Sequence, residues 1–279
     1  MKFSIIGGDR RQIEIAAFLK KSGHDVNVFG LPPMYGLKVM DSLCNSVFDS
    51  DATILPLPVS RDGKTITTPL TNDVIFLQDI LQCHPKMVFG GMIKPPLIEE
   101  FNARSIAYND YYASEALTVK NAVLTAEAAV ALAINGTDRS IFNSKALVIG
   151  YGRIGKQLAR YLKALGAEVT ATSRYPGTRA KIFSDGIIPL DTGLCREAAS
   201  QFDYIFNTVP SPIMDGAFFG SCKKTAFVED LATDAGTDFA AAVRHGINAA
   251  VYGSLPGKHS PVTAAEFIAD EILNTVNLI

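Results

Sequence analysis

Apolar runs of strand length alternate with amphipathic stretches of helix length along almost the whole chain. This alternation is typical of parallel sheets built from βαβ units and predicts the α/β fold class. In the first half, helices are predicted at 11–21, 74–81 and 95–103, and the Pro- and Gly-bearing stretch 56–69 as a surface excursion. Predicted strands are 3–8, 25–29, 52–57, 87–91 and 105–109, which indicate a flavodoxin-like sheet.

The second half repeats the alternation after a long alanine-rich segment, 114–134, which is predicted to be one helix ending at Gly136. Strands are predicted at 146–149, 187–189, 204–207, 226–229 and 248–251. Although the length alone permits one large domain, two are predicted. They are one domain over 1–115 and, after a linking helix over 116–136, a Rossmann domain over 137–260. The amphipathic helix in 261–279 is expected to pack back on the first domain.

The strongest motif is the glycine pattern Gly150-Tyr151-Gly152-Arg153-Ile154-Gly155, which follows the strand 146–149 and opens the helix 156–165. In a dinucleotide-binding turn the three glycines allow the sharp turn, the approach of the pyrophosphate and the packing of helix on strand. The free N–H groups at the helix N-terminus then bind phosphate. The pattern in this context predicts a nicotinamide-nucleotide site.

The end of the next strand indicates which nucleotide is bound. An acid there would bind the ribose 2′-hydroxyl of NAD, but the sequence has Ser173 and Arg174, which favour the 2′-phosphate of NADP, and Arg179 could assist. Two later strand ends are candidates for lining the adenosine and nicotinamide portions, although ordinary turns explain them equally well. They are Thr208, Val209, Pro210 and Asp230, Leu231, Ala232.

A second glycine turn, Gly7-Gly8-Asp9-Arg10-Arg11-Gln12, ends the first strand. Asp9 with Gln12 reads at least equally well as a capping box. Arg10 and Arg11 lie at a helix N-terminus, where positive charge opposes the helix dipole and lowers stability. Recognition of an anionic substrate at this turn would explain why two cations are present. Gly8, Asp9, Arg10 and Arg11 are therefore predicted to bind substrate.

Other candidates are weaker, because exposed or incidental roles are common for such residues. Substrate-binding candidates are Lys94, Asn121, Thr125, Leu255, Pro256 and Gly257; candidates for acid–base or electrostatic roles are Lys258, His259 and Glu127. No metal site is expected. His259 has a side chain suited to proton transfer near neutrality, but a single histidine in a loop is more often incidental.

Composition narrows the function classes. Apolar residues make up 48% of the chain and charged residues 19%, with a formal net charge of −2, so nucleic acid is not an expected ligand. Four cysteines lie far apart in sequence and are expected to be buried or idle thiols in a reducing compartment. Neither a signal segment nor a membrane span is predicted, and a cytoplasmic location is expected.

The order and spacing of five segments resemble those of one family, that of the A subunit of dipicolinate synthase. The segments are IIGGDRRQ at 5–12, NAVLTAEAAV at 121–130, IGYGRIG at 149–155, NTVP at 207–210 and LPGK at 255–258. The first, together with TAE and LPGK, is more specific than the glycine motif and NTVP, which many two-domain dehydrogenases share. The chain departs from the family at Ala128, where a glycine is expected, and at His259, where an aliphatic residue is expected.

The resemblance implies NADP-linked oxidation of dihydrodipicolinate to dipicolinate in the mother cell of a sporulating bacterium, together with the flavoprotein-like B subunit of dipicolinate synthase. A flat dianionic substrate would suit Arg10, Arg11 and Lys258 as carboxylate partners. Two alternatives stay open: a 2-hydroxy acid dehydrogenase, and a non-catalytic protein that binds NADP as a sensor or scaffold. Homo-oligomer formation is also left open.

Overall fold

The computed structural model describes residues 1–232 and 236–278. The chain forms two compact units: unit 1 comprises Met1–Asn121 and Gly257–Ile279, and unit 2 comprises Ala122–Pro256. Chain crossings between the units therefore lie at 121/122 and at 256/257.

Unit 1 contains a parallel sheet of six strands in the order β3-β2-β1-β4-β7-β8 and a short antiparallel hairpin, β5-β6. The predicted α/β class and parallel sheet are confirmed; the flavodoxin-like order lies in β2-β1-β4-β7-β8, and the two-residue strand β3 extends one edge. The strands are β1 (Lys2–Ile6), β2 (Asp25–Phe29), β3 (Lys38–Val39), β4 (Ala52–Ile54), β5 (Thr65–Ile66), β6 (Ile75–Phe76), β7 (Met87–Gly90) and β8 (Ala107–Asp110).

The first helices are α1 (Arg10–Lys21), α2 (Leu43–Phe48), α3 (Leu77–Gln82), α4 (Pro95–Ala103) and α5 (Glu115–Asn135), and Tyr111–Ala113 forms a 3₁₀ turn. Helix α4 has the predicted bounds because Pro95 opens it, where proline needs no N–H partner. The helix predicted at 74–81 is wrong in its first part. Ile75 and Phe76 pair with the strand β5, so the helix begins only at Leu77.

Unit 2 contains a second parallel sheet of six strands, in the order β11-β10-β9-β12-β13-β14. Its strands are β9 (Lys145–Ile149), β10 (Glu168–Thr172), β11 (Ile188–Leu190), β12 (Tyr204–Asn207), β13 (Phe227–Asp230) and β14 (Asn248–Val251). Strands β12 and β14 have the predicted bounds. This is the strand order of dinucleotide-binding folds, with the crevice at the carboxyl ends of β9 and β12.

The remaining helices are α6 (Arg153–Ala164), α7 (Pro176–Ser184), α8 (Cys195–Ala198), α9 (Gly216–Ser221), α10 (Phe239–Arg244), α11 (Leu255–His259) and α12 (Pro261–Val276), with 3₁₀ turns at Thr192–Leu194 and Ala199–Gln201. The segment 253–260, predicted to be a loop, contains the short helix α11. Helix α12 packs on unit 1, where Ala265, Ile268 and Ile272 share a buried cluster with Ile13 and Ala16 of α1.

Two of the four cysteines are bonded, which corrects the expectation of idle thiols. Cys44 and Cys83 form a disulfide between α2 and the end of α3. Their separation of 39 residues gives no short motif, so the pairing could not be predicted from spacing. Cys195 and Cys222 are free and buried, and burial raises the pKa of each thiol to about 11.

The sequence analysis predicts no membrane span, but helix α5 passes a test for one. With 21 residues it is long and apolar enough to cross a membrane by length and composition alone. Small alanines supply much of this apolar character. Ala126, Ala129 and Ala133 are buried in the core of unit 2 with Val148 of β9 and Phe206 of β12, as in the core helix of a folded domain.

Candidate functional site

The glycine turn of unit 2 leaves the N-terminus of α6 open. Gly150 has a φ of +97°, which favours glycine, and a Cβ on Gly155 would collide with the Gly150 carbonyl oxygen. The N-cap is Gly152, which has no side chain to cap the helix, and among the described residues a Cβ there would meet nothing within 4 Å. Backbone N–H groups at such an end attract anions, so the turn fits the pyrophosphate of a dinucleotide.

Side chains on both sides hold this turn in place. The Thr208 hydroxyl donates to the Ile149 carbonyl over 2.9 Å, and a Cβ on Gly150 would lie 2.6 Å from Thr208 Oγ1 and from Val209 Cγ1. The Tyr151 hydroxyl donates to Asp185 over 2.7 Å. The turn is therefore fixed before any ligand binds, which lowers the entropic cost of binding.

Asn207 and Asp230 end adjacent strands and organise the loops that follow β12 and β13. Asn207 Nδ2 donates to Asp230 Oδ1 over 3.1 Å and to the Val209 carbonyl over 3.0 Å. The buried Asp230 carboxylate also accepts from the backbone N–H of Ala232 and from the hydroxyl of Thr237. Loops 208–210 and 230–232, both predicted to line the nucleotide site, are thus tied together at the carboxyl edge of the sheet.

The end of β10 presents the predicted basic residues. Ser173 is buried, and its hydroxyl oxygen accepts from the Tyr175 N–H over 3.1 Å. Arg174 is exposed, with its guanidinium 4.9 Å from the centroid of the Tyr175 ring. Arg179 Nη1 donates to the Ser173 carbonyl over 2.8 Å and to Asp191 over 2.6 Å. Arg174 thus follows β10 directly, and Arg179 contacts the same segment from helix α7.

Glu229 is a buried acid that the sequence reading overlooked. It is 0% exposed, and neither carboxylate oxygen has a hydrogen-bond partner among the described residues. Burial raises the pKa of Glu229 to about 9, so the side chain is neutral near pH 7. It pairs with Phe206 on one side and Ala250 on the other, in the middle of the sheet.

The glycine turn of unit 1 is closed by its own side chain. Asp9 caps α1 by accepting from the Arg11 N–H over 3.0 Å, and the Gly8 N–H donates to the Thr67 carbonyl over 2.7 Å. The carboxylate of Asp9 therefore occupies the N-terminus of α1. In unit 2 the equivalent position at the N-terminus of α6 is where a phosphate would bind. Of the two glycine turns, the one in unit 1 is capped by the Asp9 side chain, whereas the one in unit 2 has glycine at the N-cap.

Arg11 is engaged in an ion pair rather than lying free for a ligand. Its Nε and Nη2 donate to the two oxygens of Asp9 over 3.0 and 2.8 Å, and Nη2 also donates to the Leu57 carbonyl over 2.6 Å. Burial by itself lowers the pKa of Arg11, but hydrogen bonding to Asp9 and its negative charge raise it above its usual value. The side chain is 7% exposed.

Arg10 has a different environment. Its side chain is 58% exposed and pairs with Glu14 one turn along α1 over 3.2 Å. Adjacent helix positions point about 100° apart, which separates the two arginines. A solvated pair of this kind gives little support for a dedicated substrate contact.

Gly257, from the family-specific segment LPGK at 255–258, lies against the Asp9–Arg11 pair. A Cβ on Gly257 would be 2.8 Å from Arg11 Nε and 2.9 Å from Asp9 Oδ2. Gly257 therefore lies beside the 5–12 segment within unit 1, although the two are far apart in sequence.

The remaining predicted residues have mixed environments. Lys94 is exposed at the N-cap of α4, and Asn121 Nδ2 donates to the Tyr112 hydroxyl over 3.4 Å. Thr125 is buried. Leu255 and Pro256 are buried, whereas Glu127, Lys258 and His259 are exposed. Among the described residues no group of three or more His, Cys, Asp or Glu side chains could hold a metal ion.

The sequence reading missed several residues that shape these turns. Asn207 could have been found, because it ends a strand that was predicted with the right bounds. Thr172 and Thr237 could not, because their role depends on contacts across the fold: Thr172 Oγ1 accepts from the Gly150 N–H over 3.2 Å. Gln12 is buried with an Nε2 that has no partner among the described residues.

Two family models match the chain. Residues 2–112 match the N-terminal domain of the dipicolinate synthase A subunit, and residues 133–232 match the NAD-binding domain of D-isomer specific 2-hydroxyacid dehydrogenases. The second match covers the glycine turn and the loops at the ends of β12 and β13. Unit 2 thus contains a dehydrogenase nucleotide-binding domain.

Individual relatives extend the match over the whole chain. The dipicolinate synthase A subunit of Bacillus subtilis strain 168 is 30% identical, over 97% of this chain and 94% of that protein. The crystal structure of the A subunit from Bacillus halodurans superposes with a TM-score of 0.88 at 27% identity, covering 98% of this chain and 97% of the other.

The apo D-lactate dehydrogenase of Escherichia coli has a TM-score of 0.66 at 15% identity, covering 100% of this chain and 96% of the other, and shows the fold alone. The match to the Bacillus subtilis protein is different in kind, since it combines sequence identity with nearly full coverage of both chains. The family expected from the five segments is confirmed: the chain belongs to the family of the dipicolinate synthase A subunit.

Proposed function

We propose that this protein oxidises dihydrodipicolinate to dipicolinate, pyridine-2,6-dicarboxylate, with NADP as the hydride acceptor. The observation that carries the proposal is the N-terminus of α6, where the N-cap Gly152 has no capping side chain. Arg174 follows the next strand, β10, and the chain belongs to the family of the dipicolinate synthase A subunit. An open anion site and a cation at the next strand end are what a phosphorylated dinucleotide requires.

The geometry of unit 2 supports the proposed nucleotide-binding residues. The turn 150–155 would hold the pyrophosphate, and loops 208–210 and 230–232 would line the rest of the nucleotide. When bound, NADP supplies an oxidised nicotinamide that accepts a hydride. Thr208, Asn207 and Asp230 keep the surrounding loops fixed, so the protein does not reorganise them during the reaction.

The reaction needs little acid–base help from the protein. The dihydropyridine ring loses a hydride and a proton, and the driving force is the stability of the aromatic ring. Water or a weak base suffices for the proton, so the exposed His259 and Glu127 are proposed as optional proton acceptors. The two carboxylates of the substrate require cations, and Lys258, which is exposed, is the proposed partner for one of them.

Cofactor selectivity gives a direct test of Arg174. Arg174→Ala is expected to weaken NADP binding by about 1.5–3 kcal/mol, the usual worth of a hydrogen bond to a charged group, and to leave NAD binding nearly unchanged. Arg179 is already held by Asp191, so it is expected to contribute less. Calorimetric titration of both nucleotides measures the difference. Equal affinity of the unaltered protein for NAD and NADP would contradict the assignment.

The match of residues 133–232 to 2-hydroxyacid dehydrogenases favours one second candidate, an NADP-dependent dehydrogenase of 2-hydroxy acids. That chemistry requires an arginine, an acid and a histidine placed to polarise the substrate carbonyl group, and Arg11 is held in an ion pair with Asp9. Assays with a panel of 2-keto acids and NADPH separate the two candidates. Consumption of NADPH with a keto acid, without formation of pyridine dicarboxylate, would favour the second.

The names of the relatives imply a second subunit in the synthase. We therefore propose that this chain acts with the flavoprotein-like B subunit in the mother cell during sporulation. Assaying turnover with and without that second protein determines whether the present chain is sufficient for the oxidation.

A further inference from the structure

The Asp9–Arg11 pair lies where the chain re-enters unit 1. Pro256 is the last residue of unit 2, and Gly257 is the first residue of the returning segment. The two residues that follow, Lys258 and His259, complete the short helix α11. A contact that fixes the backbone of Gly257 therefore constrains the backbone of Lys258 as well.

Gly257 leaves almost no space above the pair. Its missing Cβ would lie 2.8 Å from Arg11 Nε, 2.9 Å from Asp9 Oδ2 and 3.1 Å from Arg11 Cζ. The guanidinium cannot easily move aside, because Nε and Nη2 are both bonded to Asp9, and Nη2 also to the Leu57 carbonyl. Glycine at 257 thus lets the backbone lie directly against an ion pair whose arginine is buried and whose aspartate is partly exposed.

We propose that Asp9 and Arg11 are positioning residues, which seat the backbone at Gly257 and so hold Lys258 where it binds a carboxylate of the substrate. The inference rests on the proposed function, because Lys258 is the proposed carboxylate partner. It gives Arg11 a role different from direct substrate recognition: its two principal donors are used within the protein, and its effect reaches the substrate through the 257–258 backbone.

Gly257→Ala is the sharpest variant, because its Cβ forces Arg11, Asp9 or the returning segment to shift. The KM for dihydrodipicolinate is expected to rise about tenfold while kcat changes by less than about threefold. NADP affinity, which depends on unit 2, is expected to be unchanged. Gly253→Ala is the matched control, since a Cβ there meets nothing within 4 Å, and it is expected to behave as the unaltered protein.

A double-mutant cycle tests whether the two sites act through one contact. In Arg11→Ala the guanidinium that a Cβ at 257 would meet is gone, and Asp9 Oδ2 loses its bond to Arg11 Nη2 and is free to move aside. Adding Gly257→Ala is therefore expected to raise KM by less than about twofold. Effects that multiply, as expected if Arg11 binds the substrate independently, would overturn the proposal. A Gly257→Ala enzyme with unaltered KM would also overturn it.

Acylation of lysines in the ligand-free, full-length protein provides a measurement that does not depend on turnover. Mass spectrometry of each lysine is expected to show an altered rate of Lys258 acylation in both Gly257→Ala and Arg11→Ala, with no change at the exposed Lys38. Unchanged Lys258 reactivity would contradict the positioning role. Failure of the unaltered protein to form pyridine dicarboxylate would instead contradict the proposed function and leave this reactivity result intact.

Discussion

Gly152→Val is expected to abolish nucleotide binding while the protein stays folded. The φ and ψ of Gly152 are −82° and −160°, an extended conformation that valine readily adopts, and a Cβ there meets nothing within 4 Å. The added side chain would fill the space in front of the α6 N-terminus, where the pyrophosphate is proposed to bind. Loss of two hydrogen bonds to a charged group, at about 1.5 kcal/mol each, predicts binding weaker by at least roughly 100-fold.

The measurement for this variant is calorimetric titration with NADP, with circular dichroism to verify the fold. Gly253→Val is the control, because it also adds a side chain in open space within unit 2. It is expected to bind NADP as the unaltered protein does. Unchanged binding in a folded Gly152→Val protein would remove this turn from the nucleotide site.

Glu229→Gln is expected to change how stability depends on pH. The usual pKa of the side chain is 4.5, and burial raises it to about 9 in the folded protein. Between these values the folded protein holds a proton that the unfolded chain has released, so the free energy of unfolding falls as pH rises. The slope is about 1.4 kcal/mol per pH unit, which accumulates to roughly 3 kcal/mol by pH 7.

Glutamine stays neutral throughout this range, so the variant is expected to lack that slope. Denaturant titrations from pH 5 to pH 9 would measure it. Glu127→Gln is the matched control, because Glu127 is exposed and belongs to the same unit. Parallel pH profiles for the Glu229 variant and the unaltered protein would mean that Glu229 is ionised in the folded state.

The fold class could be predicted from sequence because its signals are local. Strand-length apolar runs gave β2, β12 and β14 with their observed bounds, and Pro95 marked the start of α4. The short strands β3, β5 and β6 were missed, since two residues show no periodicity. The helix predicted at 74–81 was partly wrong because Ile75 and Phe76 form a strand pair that only the fold brings together.

The candidate site was less predictable than the fold. The glycine pattern identified the α6 turn because its chemistry lies within six consecutive residues. By contrast, the meeting of Gly257 with Asp9 and Arg11, the pairing of Asn207 with Asp230 and the burial of Glu229 depend on long-range packing. The charge of Arg11 suggested a free cation, but its ion pair with Asp9 could be recognised only in three dimensions.

Formation of the aromatic product by the unaltered protein is the decisive measurement for the proposed oxidation of dihydrodipicolinate. Freshly generated dihydrodipicolinate is mixed with NADP, and the absorbances of pyridine-2,6-dicarboxylate and of the reduced nicotinamide are followed together. One molecule of each is expected to form per turnover, and NADP is expected to be used in preference to NAD. Tight binding of NADP without any enzyme-dependent increase in pyridine dicarboxylate would contradict the proposed oxidation.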